Sequence, residues 1–171
     1  MVLEKIRVLI ADDHEIVRAG LKMLLGQEDD IEVVGEAVNG ERAVSLFEKL
    51  KPDILLIDIA MPKLNGLDAA SKILSGNSKA KIMILSGYAD DGYIQKSLEI
   101  GISGFIVKQA PTSTLIKAVR SIHNGLNYYC SSVNGKRTIR ATLDDQWMRA
   151  PSILRMEFGF GFDRSSSAIS S

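Results

Sequence analysis

The sequence predicts an α/β fold: a doubly wound parallel sheet of five βα units, followed by an irregular tail. Three observations carry that expectation. Short apolar runs alternate five times with longer stretches of helical period; the runs are rich in Ile, Val and Leu, three of them almost continuously apolar; and the alternation stops near residue 126 of 171. Strands covered by helices on both faces read as continuous apolar runs, whereas half-exposed strands alternate. Repeated strand and helix patterns in one chain place such a sheet between two helical layers.

The elements follow in order. The first strand is Ile6–Ala11, and Val17, Leu21, Leu24 and Leu25 then fall at i, i+4, i+7 and i+8, one apolar stripe on a helix of about 14 residues. Ile31–Ala37 is the second strand, with Ala43, Val44, Phe47 and Leu50 on its helix. Ile54–Ile57 is the third and is wholly apolar, followed by Leu67, Ala70 and Leu74. Ile82–Leu85 is the fourth, with a weaker helical stripe at Ile94 and Leu98. Phe105–Val107 is the fifth, followed by Leu115, Ala118, Val119 and Ile122. Gly101 and Gly125 stand where a helix stop favours a left-handed residue.

This organisation gives one domain over residues 1–127 and a linker with a poorly ordered tail over 128–171. The tail holds Gly-Phe-Gly-Phe at 159–162 and a Ser-rich end, and its one expected element is a short helix near Asp145–Arg149. Tyr128 and Tyr129 are expected to pack at the domain edge.

Composition narrows the function. Lys+Arg and Asp+Glu balance at 21 each, so nothing calls for a polyanionic partner. One cysteine, Cys130, makes an internal disulfide impossible, and no Cys/His spacing points to zinc. The N-terminus has neither a signal-peptide profile nor a run of about 20 apolar residues. The expectation is a soluble, cytoplasmic protein with no membrane span.

Ligands of open α/β sheets bind beyond the carboxyl ends of the strands. The first strand ends in Asp12-Asp13, the third in Asp58, the fourth in Ser86 and the fifth in Lys108, while the second offers only Asn39. Three converging carboxylates repel unless a cation joins them, and Mg²⁺ takes one or two carboxylates together with a substrate phosphate. Lys108 supplies a fixed positive charge for phosphoryl oxygens and the Ser86 hydroxyl one more hydrogen bond. Asp58, directly after Ile54–Ile57, is the best nucleophile and would carry an aspartyl phosphate. The Pro- and Gly-containing turn Met61–Gly66 brings a backbone carbonyl near, at Ala60, as a further metal ligand.

Taken singly these residues have ordinary readings. Asp12-Asp13 reads as a turn or helix cap, Ser86 as a loop hydroxyl, Lys108 as a solvated charge and Phe105 as core. His14 adjoins the acid pair and tunes it, His123 meets the end of the fifth helix, and Lys136, Arg137 and Arg140 form a solvated basic run. The ordered set at the strand ends is what favours the phosphoryl reading.

Asp12-Asp13, Asp58 followed by Met61-Pro62 and Gly66, Ser86, and Lys108 three residues after Phe105 resemble the receiver domain of two-component response regulators, over residue 5 to about 125. The run Ile6–His14, continued by Arg18-Ala19-Gly20-Leu21, is similar to the NarL/FixJ subfamily in particular. The resemblance implies a flavodoxin-like receiver fold and phosphorylation of Asp58 by a sensor histidine kinase. It also implies Mg²⁺ held by Asp12, Asp13, Asp58 and the Ala60 carbonyl, with phosphate contacts from Ser86 and Lys108. It implies a switch in which Ser86 moves toward the phosphate and the aromatic at position 105 turns inward. That switch remodels the face of the fourth helix, fifth strand and fifth helix, the usual site of homodimer or partner contacts. Phe105 lacks the hydroxyl of the Tyr common at this position, and Gln109-Ala110-Pro111 displaces the proline that often follows the lysine.

Two other classes fit less well. A phosphatase or phosphotransferase that forms an aspartyl phosphate, of the kind resembling haloacid dehalogenases, carries Asp-x-Asp after the first strand. Asp12-Asp13-His14 lacks that spacing. A flavodoxin-like cofactor binder needs a phosphate loop where Asp12-Asp13-His14-Glu15 would repel phosphate. NarL/FixJ-type relatives usually add a helix-turn-helix module of roughly 60 residues to regulate transcription. Residues 134–171 support no such module, so direct DNA binding is not expected of this chain, and a truncated or frame-shifted output region is.

Overall fold

The computed structural model describes residues 4–88, 90–133 and 136–140, with side chains described as far as residue 129. Five βα units follow in chain order: β1 (Ile6–Ala11), α1 (Glu15–Gly26), β2 (Ile31–Ala37), α2 (Gly40–Leu50), β3 (Ile54–Asp58), α3 (Gly66–Gly76), β4 (Ile82–Ser86), α4 (Asp91–Ile100), β5 (Gly104–Val107) and α5 (Thr112–His123). The sheet then continues through β6 (Tyr128–Val133) and β7 (Lys136–Arg140). Its order is β2-β1-β3-β4-β5-β6-β7, parallel as far as β6 and antiparallel between β6 and β7. The expected doubly wound sheet is therefore present, with the first five strands in the order 2-1-3-4-5.

The apolar runs are continuous because successive residues face two cores. Leu9, Leu55, Ile57, Ile82, Ile84 and Phe105 enter one core with Phe47 of α2 and Leu67 and Ile73 of α3. Their neighbours Val8, Ile10, Ile54, Leu56, Met83, Leu85 and Ile106 enter the other with Leu25 of α1 and Leu115, Val119 and Ile122 of α5. Strand side chains alternate between sheet faces, so a strand buried on both sides leaves no polar position.

Helix starts and stops are read locally. Asn39, Asn65 and Asp90 cap α2, α3 and α4 by accepting from backbone N–H groups in the first turn. The cap occupies Asn39, the one polar side chain at the end of β2. Gly101 (φ 89) and Gly125 (φ 83) both adopt the left-handed conformation expected of them.

Residues 128–133 and 136–140 differ from the expected irregular stretch, each forming a strand. Tyr128 packs into one core and Tyr129 into the other, the pattern of a strand buried on both faces, and the Tyr129 hydroxyl donates to the Ile102 carbonyl. Tyr-Tyr-Cys-Ser-Ser-Val carries too few aliphatic residues to read as a buried strand, yet two large aromatics suffice to seat it beside β5. The expected helix near Asp145–Arg149 lies outside the described residues.

Among the described residues no helix is long and apolar enough to cross a membrane.

The β3–α3 turn sets the site's position. Met61 and Ile59 are buried beneath it, and the Gly66 N–H donates to the Ile59 carbonyl at 2.8 Å. A Cβ on Gly66 would run into the Asp58 carbonyl and Ile59 backbone, atoms with no freedom to yield. Gly66→Ala is expected to cost about 3 kcal/mol, at the upper end of overpacking penalties, measured as a lowered urea midpoint at unchanged m-value.

Candidate functional site

Parallel register brings the strand ends level. Ala11 pairs with both Ala37 and Ile57, Asp58 with Leu85, and Ser86 with Val107. The residues at or just past these pairs therefore share one end of the sheet: Asp12, Asp58, Ser86 and Lys108. The Lys108 N–H donates to the Ser86 carbonyl at 2.7 Å, which fixes the start of the β5–α5 loop against β4.

Four residues converge there. Asp12, Asp13, His14 and Asp58 each present a ligand atom within 4.8 Å of the others. Asp12 is fully buried and Asp58 nearly so, whereas Asp13 and His14 are exposed. Lys108 reaches over them, its Nζ 2.6 Å from Asp12 Oδ2 and 3.3 Å from Asp58 Oδ1. Asp12 Oδ1 accepts from the His14 N–H at 2.8 Å, and His14 Nδ1 lies 3.1 Å from both Asp12 Oδ1 and Asp13 Oδ1.

Three carboxylates at one end of the sheet, from β1 and β3, create the electrostatic problem expected from the sequence. Burial pushes the Asp58 carboxyl above its ordinary value; the Lys108 ammonium pulls it down, and Asp12 and Asp13 push it further up. Burial alone would lower the Lys108 ammonium, but its hydrogen bond to Asp12 and the charge of Asp58 raise it above the ordinary lysine range. The donor set, hard carboxylate oxygens with an open side toward Asp13, fits a hard divalent cation.

The Asp58 shift has a thermodynamic consequence with a definite sign. A carboxyl whose folded pKa exceeds its unfolded one contributes stability that is fully present below the ordinary value of 3.8 and lost as pH rises through the raised value. In the metal-free chain, Asp58→Asn removes that loss. Urea midpoints of the two chains should agree most closely at acid pH and separate in favour of the Asn chain toward neutrality. A gap that closes toward neutral pH would contradict the assigned direction.

The remaining expected residues sit as follows. Ser86 is buried at the end of β4, but its hydroxyl donates to the Tyr88 carbonyl at 2.8 Å and accepts from the Tyr88 N–H at 3.1 Å, so it is bonded to its own loop rather than to Asp58. Phe105 is fully buried, on the sheet face covered by α2, α3 and α4. Ala60 is exposed in the turn two residues past Asp58. Two residues outside the expected ligand set also reach the site. His14, expected to tune the acid pair, brings a ring nitrogen among the acid oxygens, and its adjacency to Asp13 is the signal for that. Arg18, which the sequence marks only as part of the run resembling the NarL/FixJ subfamily, donates from Nη1 to the Asp12 carbonyl at 2.8 Å.

The chain matches the family described as response regulator receiver domain over residues 8–120. It is 39% identical over 124 residues to the transcriptional regulatory protein DegU of Brevibacillus brevis, covering 72% of this chain and 52% of that protein. The chain thus spans about half the length of the curated relatives it matches. Among solved structures it resembles a two-component response regulator of the LuxR family from Aurantimonas sp., with TM-score 0.71, 29% identity, and coverage of 75% of this chain and 91% of that one. It also resembles a chain of the CheX–CheY–BeF3–Mg²⁺ complex from Borrelia burgdorferi, with TM-score 0.66, 26% identity, and coverage of 70% and 90%.

Proposed function

The chain belongs to the response regulator receiver domain family, and from that premise we propose that Asp58 accepts a phosphoryl group from the phosphohistidine of a sensor histidine kinase. Receivers of this kind are signalling modules of two-component systems rather than classical enzymes. The observation that carries the assignment to Asp58 is the placement of Lys108 Nζ 3.3 Å from the Asp58 carboxylate and 2.6 Å from Asp12, at the end of the sheet where Asp12, Asp13 and Asp58 converge.

In the proposed transfer an Asp58 carboxylate oxygen forms the new P–O bond while the P–N bond to the donor imidazole breaks. The imidazole nitrogen keeps the electron pair. Lys108 orients the phosphoryl oxygens and offsets their charge, and Asp58 must be ionised to attack. Asp12, Asp13, Asp58 and the Ala60 carbonyl would hold Mg²⁺, which when bound supplies charge neutralisation for the phosphoryl oxygens. The chemistry of the donor set and the likeness to a chain from a Mg²⁺-containing complex support that choice.

Ser86 and Phe105 are proposed to carry the response. For its hydroxyl to reach a phosphoryl oxygen, Ser86 must release the Tyr88 carbonyl, which shifts the β4–α4 loop. Phe105 already lies inward, so this side chain contributes a packed ring rather than a hydrogen bond. The altered face of α4, β5 and α5 then makes contacts with a partner or a second copy, in the cytoplasm, to regulate transcription as the DegU relative is named for. The receiver unit is taken as residues 1–127, with 128–171 outside it and β6 and β7 added to its sheet edge. Incubation of the chain with Mg²⁺ and acetyl phosphate, followed at once by intact-mass measurement, tests the reading. The expected result is a mass gain of one phosphoryl group; no gain with any small donor or kinase would refute it.

A further inference from the structure

Arg18 is a positioning residue for the acidic site, we propose, its guanidinium setting the Asp12 peptide so that the Asp12 carboxylate meets a cation. The inference rests on the Mg²⁺ site described above and adds to it a residue from outside the ligand set.

Asp12 is the fully buried acid of the cluster, and nearly every polar group it owns is held. Its N–H donates to the Ala37 carbonyl on β2 at 3.1 Å, and its two carboxylate oxygens meet the His14 N–H and Lys108 Nζ. Its carbonyl leaves the sheet just past β1, beyond any strand partner, and there Arg18 Nη1 donates to it at 2.8 Å. That bond decides the orientation of the Asp12–Asp13 peptide, and with it the relation between the two acids.

Arg18 is itself held for this task. It lies in the first turn of α1, its N–H donating to the His14 carbonyl at 3.1 Å, and its side chain is only 13% exposed. Nε is buried without a hydrogen-bond partner and faces Glu36 Oε1 on β2 at 3.9 Å, while Glu36 Oε2 is taken by Lys22 at 2.9 Å. One planar cation thus spans α1, the end of β1 and the edge strand β2. A lysine carries the charge but not the fork, and reaches one of these groups at a time.

The sign of the effect separates positioning from simple charge. A cation near a cation site repels Mg²⁺, so if Arg18 acted by charge alone its removal would tighten binding. If it acts by setting the Asp12 peptide, its removal weakens binding, and Arg18→Lys weakens it too although the charge is kept. Partners that orient metal ligands are commonly worth tenfold or more in affinity.

The test is calorimetric titration of the full chain with MgCl2, without phosphodonor, for the wild type, Arg18→Lys and Arg18→Met, with thermal melts confirming that each is folded. The expected result is a Kd raised about tenfold in both variants. Wild-type or tighter affinity in Arg18→Lys would overturn the proposal even if the melting temperature fell, since that pattern marks a merely structural role. Should the Arg18 variants fail to fold, Glu36→Gln decides: it removes the carboxylate charge that faces Nε at 3.9 Å and, with it, the attraction that holds the guanidinium on the Asp12 carbonyl. A raised Kd supports the inference and an unchanged one overturns it. A wild-type chain that binds no Mg²⁺ would instead remove the metal reading on which the inference stands.

Discussion

Replacing Asp58 with asparagine should abolish the phosphoryl mass gain while making the metal-free chain more stable. The first effect is chemical. The amide oxygen has no full negative charge to attack phosphorus, and no other acid of the cluster stands at the end of the central strand β3 with its backbone fixed by the turn that Gly66 closes. The second is electrostatic. Asp58 is buried and its ionised form is disfavoured by that burial and by Asp12 and Asp13, so a neutral side chain of the same shape relieves the repulsion. Lys108 keeps Asp12 as its partner in the variant. A gain of about 1 kcal/mol at neutral pH, the ordinary scale of a single-site change, is expected as a raised urea midpoint. Intact mass after brief exposure to acetyl phosphate and Mg²⁺ checks the first effect. Undiminished gain in the Asn chain would place the acceptor elsewhere.

That pairing of lost chemistry with gained stability is partly legible in the sequence itself. Asp58 announced itself because Ile54–Ile57 admits no exposed position, so the next residue had to emerge at the end of a buried strand. The same logic located Ser86 and Lys108, since each follows a run that the sheet covers on both faces. What the sequence could not express was orientation. The Ser86 hydroxyl is turned to the Tyr88 backbone, a choice made by the local loop and invisible to any pattern of residue types. Arg18 was hidden for the opposite reason: it stands on α1 beside the apolar stripe, and periodicity describes that stripe while staying silent about a cation folded back onto the strand end. Tyr128 and Tyr129 show a third limit. Two aromatics with a polar continuation carry no strand period, yet each fills a different core, and β6 exists because β5 offered an open edge.

Lys108→Met should slow phosphorylation by about 10²- to 10³-fold, the usual loss when one preorganised donor to a developing oxyanion is removed. Methionine keeps much of the aliphatic stem, so the change isolates the ammonium. In the metal-free chain the same substitution leaves Asp12 and Asp58 with no counter-charge at 2.6 and 3.3 Å, and stability should fall by about 3 kcal/mol, as when one partner of a buried ion pair is deleted. Mg²⁺ then has more to offer the variant than the wild type. In the wild type a bound cation would compete with the ammonium 2.6 Å from Asp12 Oδ2, whereas in Lys108→Met the Asp12 carboxylate would be released from that contact. Thermal melts in rising MgCl2 should therefore show a larger stabilisation of the variant, because a ligand stabilises the folded state in proportion to how tightly it binds there. The two readouts move in opposite directions, tighter metal and slower transfer, which a general loosening of the site would not produce. Arginine should fail to restore the rate, since its planar fork does not present charge from the point where Nζ lies. A Lys108→Met chain that is phosphorylated at the wild-type rate would confine the ammonium to balancing the acids of the metal-free pocket.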